Sequence, residues 1–168
     1  MKLIFIRHGE ANINTGKLTL RGKLQVKNIL KFLKGENIKA IYCSPRTRAL
    51  QSTNILNAKL KVPVYIMNNL NERQMLPLGK EKYQEEYFKN YLNSAYDNSR
   101  FETCKQFVDR NIKVFEKIKT KHQGNESVIV IAHSATLSAL NAYVNGIPAD
   151  QKIIWLQCSN GAVIKYNM

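Results

Sequence analysis

Three short apolar segments of the chain each end in histidine or arginine, side chains that can bind or attack an anion. The segments span residues 3–6, 40–42 and 128–132, and the polar residues that follow them include Arg7, His8, Arg48, His133 and Ser134. In an α/β protein, ligands bind beyond the carboxyl ends of neighbouring strands. If the three segments are neighbouring strands, the sequence therefore predicts that these side chains meet in one crevice.

These side chains suit the transfer of a phosphoryl group. Arginine forks bind phosphate oxygens through paired hydrogen bonds and hold the phosphorus in place. A neutral imidazole can then attack in line and become phosphorylated. We expect the nearby arginines to lower the pKa of His8, because like charge disfavours its protonation. A fixed acceptor, often a backbone carbonyl, is expected to select the tautomer of the ring.

The leaving alkoxide of a phosphate ester needs a proton, so the crevice should also contain a carboxylic acid. Glu10, Glu72 and Glu102 are candidates, and their spacing alone does not choose among them. A carboxyl beside bound phosphate has a raised pKa, which suits a general acid. Gly9 has two interpretations: it lets the backbone pass close to the phosphate, or it is an ordinary turn glycine.

Strand patterns and helix patterns alternate along the chain. Strands are predicted at residues 2–6, 40–43, 62–66, 128–132, 153–156 and 162–166, and helices at residues 21–33, 46–58, 80–92, 103–119 and 136–144. This alternation predicts an α/β fold, a three-layer α/β/α sandwich with a mainly parallel central sheet. The 168 residues suit a single domain, with a small cap-like segment at about residues 73–102.

The net charge of +14 raises the alternative of a basic module that binds nucleic acid or an acidic protein without catalysis. The lysines, however, are spread along the whole chain. Those of the first predicted helix lie opposite its apolar positions and are Lys23, Lys27, Lys31 and Lys34. This pattern is typical of the solvated face of an amphipathic helix. We therefore expect the charge to attract small anionic substrates rather than nucleic acid.

The sequence does not indicate a membrane or secreted protein. It contains no run of 18 apolar residues, and the apolar run at residues 3–6 is too short for a signal peptide. Cys43, Cys104 and Cys158 are odd in number and widely spaced, so neither a disulfide framework nor a zinc site is expected. These features predict a cytoplasmic protein.

Five short blocks in a set order cover nearly the whole chain. The first is the tetrad Arg7-His8-Gly9-Glu10, and the second, at residues 18–25, reads Leu-Thr-x-x-Gly-x-x-Gln. The others are close to Ser-Pro-x-x-Arg-Ala-x-Gln-Thr at residues 42–53, to Leu-x-Glu at residues 70–73, and to the apolar strand that ends in histidine at residues 128–133. Together they resemble the motifs of the histidine phosphatase superfamily. That resemblance implies a phosphoglycerate mutase-like fold.

The resemblance also implies a role for each matching residue. His8 would be the nucleophile, and Glu72 would be the proton donor. Arg7, Arg48 and His133 would complete the phosphate pocket, with His133 taking part in catalysis. No metal and no organic cofactor is implied.

Two further positions are weaker candidates for substrate or phosphate contacts. Asn14 lies where the family often has such an asparagine, but it is equally an ordinary loop residue of an Asn-rich chain. Ser134 replaces the usual glycine after the second histidine, and its backbone N–H can still serve the phosphate. The family's Gly-Glu-Ser motif is Phe101-Glu102-Thr103 here, which puts a contact at that position in doubt.

The resemblance leaves several activities open. We expect a phosphatase that hydrolyses phosphate monoesters through a phosphohistidine on His8. Its expected partner is a small phosphorylated metabolite, such as a sugar phosphate, a phosphoglycerate or α-ribazole phosphate, bound by a monomer or homodimer. The alternatives are a phosphoglycerate mutase-type phosphotransferase, a phosphohistidine protein phosphatase and the non-catalytic basic module.

The length of the chain favours hydrolysis over mutase activity. A mutase must exclude water until its phosphoryl group is transferred back, and the similar mutases are longer, with larger insertions over the site. Only about thirty residues separate Glu72 from Glu102. We expect the segment at residues 76–100 to set substrate specificity.

Overall fold

The computed structural model describes residues 1–73, 102–147 and 158–168. The strands are β1 (Lys2–Arg7), β2 (Ile38–Cys43), β3 (Val64–Ile66), β4 (Ser127–Ala132) and β5 (Val163–Asn167). The helices are α1 (Leu20–Ile29), α2 (Thr47–Leu60), α3 (Cys104–Lys121) and α4 (Ser134–Val144), with short 3₁₀ helices at Leu30–Leu33 and Asn68–Leu70. The helix predicted at residues 80–92, the strand predicted at 153–156 and nearly all of the predicted cap-like segment lie outside the described residues.

The five described strands form one sheet in the order β3-β2-β4-β1-β5. The pairs β2–β3, β2–β4 and β1–β4 are parallel, and β5 runs antiparallel beside β1. All six residues of β4 are buried, as expected for a central strand covered on both faces. The predicted mainly parallel sheet is confirmed, and the three strands that end in polar residues are neighbours.

Helices cover both faces of this sheet, which confirms the three-layer sandwich. Alternate side chains of a strand point to opposite faces, and each set packs into its own core. The core beneath α1 and α2 includes Ile4, Ile6, Val26, Ile29, Ile41, Leu56, Ile129 and Ile131. The core beneath α3 and α4 includes Leu3, Phe5, Tyr42, Phe115, Ile118, Val128, Val130 and Leu140. Burial of each such side chain contributes about 1.5–3 kcal/mol.

Helix α1 has the predicted amphipathic character. Thr19 caps its N-terminus, since the Thr19 Oγ1 accepts a hydrogen bond from the Gly22 N–H at 3.0 Å. The four lysines of the predicted solvated face are exposed, whereas Val26, Ile29 and Leu33 are buried. Of the helices that the structure describes, none has the length and apolar character needed to cross a membrane.

Two glycines bring the loop after β1 against α1. A Cβ atom on Gly9 would lie 2.9 Å from the Gly22 carbonyl carbon, and one on Gly22 would lie 2.8 Å from the Glu10 backbone nitrogen. Real Cβ atoms do not approach other atoms so closely, so a larger residue at either position would push the loop and the helix apart. Packing between backbones thus gives Gly9 a role that neither sequence interpretation considered.

Candidate active site

His8 lies directly after β1, and its ring is held in one tautomer. The His8 Nδ1 is 2.7 Å from the Gly9 carbonyl oxygen, to which only a protonated nitrogen can donate. The Arg48 Nε donates to the His8 Nε2 at 2.8 Å. Nδ1 therefore carries the proton, and the lone pair of Nε2 points at the Arg48 guanidinium. The backbone carbonyl expected from the sequence is that of Gly9.

Arg48 lies within hydrogen-bond distance of three other predicted site residues. It lies in the first turn of α2, which begins just beyond the end of β2. Its Nη2 is 3.1 Å from the His133 Nδ1 and 3.3 Å from the Glu72 Oε2. One guanidinium thus contacts both histidines of the site and the glutamate, and the structure brings four of the predicted residues together.

His133 occupies the innermost position of the site, between β4 and α4. Its side chain is fully buried, and its ring centroid is 5.1 Å from that of His8. The His133 Nε2 is 2.8 Å from the Ser44 Oγ, which can donate or accept. The His133 Nδ1 is also 3.1 Å from the Glu72 Oε2. In the tautomer protonated at Nδ1, His133 donates to Glu72 and accepts from Ser44. In the other tautomer its Nδ1 accepts from the Arg48 Nη2, and its Nε2 donates to Ser44.

Arg7 is the last residue of β1, and its side chain is tied to the chain near β5. The Arg7 Nη1 donates to the Cys158 carbonyl oxygen. The Arg7 Nε is buried and has no hydrogen-bond partner within the described parts of the chain. A buried donor without an acceptor costs free energy unless a ligand supplies the acceptor. This nitrogen is therefore suited to an oxygen of a bound anion.

The three candidate acids occupy different surroundings. Glu72 reaches Arg48 and His133, as described above. The Glu10 Oε1 instead accepts from the Thr19 hydroxyl at 2.8 Å, and its Oε2 lies 3.6 Å from the Arg21 Nη1. Glu102 pairs with Arg110 of α3. Of the three carboxylates, Glu72 is thus the one in contact with Arg48 and His133. Arg7, His8, Arg48, Glu72 and His133 are called the cluster below.

The two weaker candidates lie at the margins of the site. Ser134 is nearly buried as the first residue of α4, where the first N–H groups of a helix lack intrahelical acceptors and suit an anion. Asn14 lies in an exposed turn, and its backbone N–H donates to the Asn12 Oδ1. Within the described residues the Asn14 side chain contacts none of the residues of the cluster by a hydrogen bond.

Sequence reasoning did not assign the residues that hold the reactive side chains in place. The Ser52 Oγ accepts from the Gly9 N–H at 3.2 Å and donates to the Arg48 carbonyl oxygen at 2.8 Å. The Gln25 Oε1 accepts from the Glu10 N–H at 2.8 Å. Both residues belong to the blocks at residues 18–25 and 42–53. Membership of those blocks is the one sequence feature that could have pointed to Ser52 and Gln25. Their contacts could not be predicted, because they depend on the tertiary structure.

Burial and positive charge both keep the histidines neutral. The pKa of His8 is lowered from 6.5 to about 4, first by burial and then by the charges of Arg48 and Arg7; the hydrogen bond to Gly9 opposes this shift. Burial also holds the pKa of His133 well below its usual range, with Arg48 adding to the effect. The expected lowering of the His8 pKa is present, although burial rather than charge is its chief cause.

The lowered pKa of His8 predicts a loss of stability in acid. Unfolded His8 binds a proton as the pH falls below 6.5, whereas folded His8 stays neutral down to about pH 4. The stability is therefore complete above pH 6.5 and falls as the pH drops towards 4. A shift of this size corresponds to about 3 kcal/mol of the free energy of unfolding.

Urea denaturation between about pH 4 and pH 7.5 measures this effect. The wild-type protein should lose about 3 kcal/mol more over this range than a His8→Gln variant, which has no titrating group at this position. His133 is present in both proteins, so the difference isolates His8. An identical pH dependence in the two proteins would contradict the buried, neutral state of this ring.

The described residues do not suggest a metal site. In residues 1–73, 102–147 and 158–168, no three histidine, cysteine, aspartate or glutamate side chains come close enough to hold an ion. The cationic groups of the cluster, above all Arg7 and Arg48, instead suit an anionic ligand.

The sequence is similar to that of a known protein family along nearly its whole length. A family model described as the histidine phosphatase superfamily (branch 1) matches residues 3–168. The adenosylcobalamin/alpha-ribazole phosphatase of Escherichia coli (strain K12) is 26% identical over 171 aligned residues, which cover 89% of this chain and 82% of that protein. A 2,3-bisphosphoglycerate-dependent phosphoglycerate mutase of Corynebacterium diphtheriae is 28% identical over 213 aligned residues, which cover 99% of this chain and 86% of the mutase.

The fold agrees with this assignment. YhfR of Bacillus stearothermophilus superposes with a TM-score of 0.80 at 22% identity, covering 98% of this chain and 89% of that chain. The family model spans nearly all residues, and the relatives are phosphatases and mutases. The protein is therefore an enzyme of the histidine phosphatase superfamily.

Proposed function

We propose that this enzyme is a phosphatase that hydrolyses phosphate monoesters of small metabolites through a phosphohistidine on His8. The observation that carries the proposal is the state of the His8 ring. Its Nδ1–H is tied to the Gly9 carbonyl, and its Nε2 lone pair faces the Arg48 guanidinium at 2.8 Å. A neutral nucleophile next to a cation is the arrangement that attack on a phosphate dianion requires.

In the first step, the phosphate group of the substrate enters the site, and the hydrogen bond between the Arg48 Nε and the His8 Nε2 breaks. The phosphate oxygens then bind the Arg7 and Arg48 guanidinium groups. The His8 Nε2 lone pair attacks phosphorus and forms the P–N bond. The P–O bond to the leaving group breaks in line with it. The Glu72 carboxyl gives its proton to the leaving alkoxide, and bound phosphate favours the protonated form of this carboxyl before the step.

In the second step, water replaces the alcohol. The Glu72 carboxylate takes a proton from the water, and the hydroxide attacks phosphorus. The P–N bond breaks, and its electron pair returns to the His8 Nε2. Inorganic phosphate leaves, and Glu72 is again protonated for the next cycle. We assign His133 to the binding of a phosphate oxygen through its Nδ1–H.

The lengths of the relatives support hydrolysis over transfer. The alignment with the phosphoglycerate mutase spans 213 positions, 45 more than the 168 residues of this chain. The mutase thus has residues that this chain lacks, in keeping with the need of a mutase to shield its phosphoenzyme from water. A phosphatase active on a small metabolite, as the name of the Escherichia coli relative states for that protein, needs no such shield.

Phosphoglycerate mutase activity remains the second candidate. It rests on the 28% identity with the Corynebacterium diphtheriae enzyme over 99% of this chain. Both activities share the attack by His8 and differ in which acceptor resolves the phosphoenzyme.

Assays of the purified protein separate these functions. We expect release of inorganic phosphate from p-nitrophenyl phosphate and from a panel of sugar phosphates, phosphoglycerates and α-ribazole phosphate, with inhibition by vanadate. A mutase would instead convert 3-phosphoglycerate to 2-phosphoglycerate with little phosphate release. Faster hydrolysis of phosphohistidine peptides than of any ester would favour a protein phosphatase. Salt-dependent DNA binding without hydrolysis would favour the basic module.

A further inference from the structure

The segment that carries Glu72 has little regular structure to hold it. Glu72 follows the three-residue 3₁₀ helix Asn68–Leu70, and its backbone N–H is bound by the Asn71 Oδ1 at 3.0 Å. Leu70 is fully buried and anchors the chain two residues earlier. The next residue, Arg73, is buried and donates from its Nε and Nη2 to the Glu102 carbonyl at 3.2 and 3.1 Å. A general acid must be held within a fraction of an ångström of its working position, so the backbone on both sides of Glu72 matters.

Arg110 of α3 restrains the backbone that leads to Glu72. Its Nη1 donates to the Asn69 carbonyl and, at 2.9 Å, to the Asn71 carbonyl, and its Nη2 lies 3.4 Å from the Glu72 carbonyl. A single planar guanidinium thus binds three carbonyls of the four residues that end at Glu72. Arginine suits this task because its donors form a rigid fork.

The guanidinium of Arg110 is itself held in place from two directions. Both carboxylate oxygens of Glu102 accept from it, one from Nε and the other from Nη2 at 2.8 Å. Its Cζ lies 4.7 Å from the centroid of the Phe107 ring, within range of a cation–π contact. The Arg110 and Glu102 side chains are only 18% and 16% exposed. Such partly buried, bidentate pairs are rigid, unlike exposed ion pairs.

We propose that Arg110 is a positioning residue for catalysis: with Glu102, it fixes the backbone before Glu72 so that the carboxylate reaches Arg48 and His133. The proposal rests on the proposed role of Glu72 as general acid. It also gives Glu102, one of the three candidate acids, a different task. Glu102 orients the arginine that orients the acid, and it does not itself reach the reacting atoms.

A misplaced acid has a recognisable kinetic signature. An alkoxide needs a proton in the transition state, whereas p-nitrophenolate is stable enough to leave without one. Loss of Arg110 should therefore slow the formation of the phosphoenzyme from glycerol phosphate much more than its formation from p-nitrophenyl phosphate. A variant that is merely less stable would lose both activities in the same proportion.

The test compares kcat/KM, which reports the formation of the phosphoenzyme, for wild-type protein, Arg110→Met, Arg110→Lys and Glu102→Gln on these two substrates. For Arg110→Met we expect kcat/KM to fall at least about tenfold on glycerol phosphate and less than about threefold on p-nitrophenyl phosphate. Arg110→Lys should recover part of the loss, because one cation can bind only some of the carbonyls. The matched control is Lys113→Met, which removes an exposed cation from the next turn of α3.

A double-mutant cycle with Glu72→Gln tests whether Arg110 acts through Glu72. If Arg110 acts through Glu72, Arg110→Met should cost no further activity on glycerol phosphate in the Glu72→Gln background. Losses that multiply, or equal losses in kcat/KM on both substrates, would overturn the proposal. Should Arg110→Met fail to fold, Glu102→Gln takes its place. It too should lose more activity on glycerol phosphate than on p-nitrophenyl phosphate, and it should cause no further loss in the Glu72→Gln background. A wild-type protein inactive on all phosphate esters would instead refute the proposed function itself.

Discussion

A His8→Ala variant is expected to lose at least about 10⁴-fold in kcat/KM for every phosphate monoester that the wild-type enzyme hydrolyses. In the proposed mechanism the imidazole supplies the attacking lone pair. Among the described side chains, the other ring nitrogen beside Arg48 is the His133 Nδ1, 3.1 Å from the Arg48 Nη2. His133 does not substitute, because it is fully buried and its Nε2 is bound to Ser44. The loss is measured as phosphate released from p-nitrophenyl phosphate and from the preferred metabolite.

The same variant tests the covalent intermediate. Brief incubation with ³²P-labelled substrate should give the wild-type protein a label that is labile in acid and stable in base, as expected for a phosphohistidine. His8→Ala should give none. The matched control is His122→Asn, since His122 is the third of the three histidines and is bonded to Tyr42 and Glu126 outside the cluster. Activity or label that survives in His8→Ala would rule out the proposed mechanism.

The meeting of the strand-end residues could be predicted because its physical cause is visible in the chain. The runs at residues 3–6, 40–42 and 128–132, which lie within β1, β2 and β4, are apolar without interruption, as expected of strand segments buried on both faces. A parallel sheet then places the ends of such strands along one edge. The order of the strands is set by pairing between distant segments, so their adjacency remained an assumption until the structure confirmed it.

Other features of the site depend on contacts that local patterns do not contain. Glu72 lies on a short irregular segment whose backbone carbonyls are bound by Arg110, 38 residues later. The Arg7 side chain is held by a backbone carbonyl of Cys158, 151 residues away. Gly9 and Gly22 meet across the loop and the helix that they bring together. Residue type alone indicated none of these contacts, since each depends on the complete fold.

A Glu72→Gln variant tests whether Glu72 is the general acid of the proposed mechanism. Glu72→Gln preserves the size of the side chain and can still accept a hydrogen bond from Arg48, but it cannot donate a proton to an alkoxide. We expect kcat on an alkyl phosphate to fall by about 10²-fold or more. On p-nitrophenyl phosphate the fall in the formation of the phosphoenzyme should be much smaller.

The second half of the reaction gives this variant its clearest readout. Without the Glu72 carboxylate, the proposed base for the attacking water is lost, so the phosphoenzyme should be hydrolysed slowly and accumulate. Labelling from p-nitrophenyl phosphate should therefore be stronger in Glu72→Gln than in the wild-type protein, together with a burst of p-nitrophenolate. Glu10→Gln is the matched control, because Glu10 directly follows the His8–Gly9 pair but is bonded to Thr19 instead.

The two variants decide between the strand-end glutamate and the glutamate on the irregular segment. Glu10→Gln should keep kcat within about threefold of the wild-type value on both substrates, because it leaves the contacts of Arg48 and His133 intact. If Glu10→Gln instead showed the slow alkyl hydrolysis and the accumulated label while Glu72→Gln did not, Glu10 would be the acid. The contact of Glu72 with His133 at 3.1 Å would then serve only to hold the phosphate pocket together.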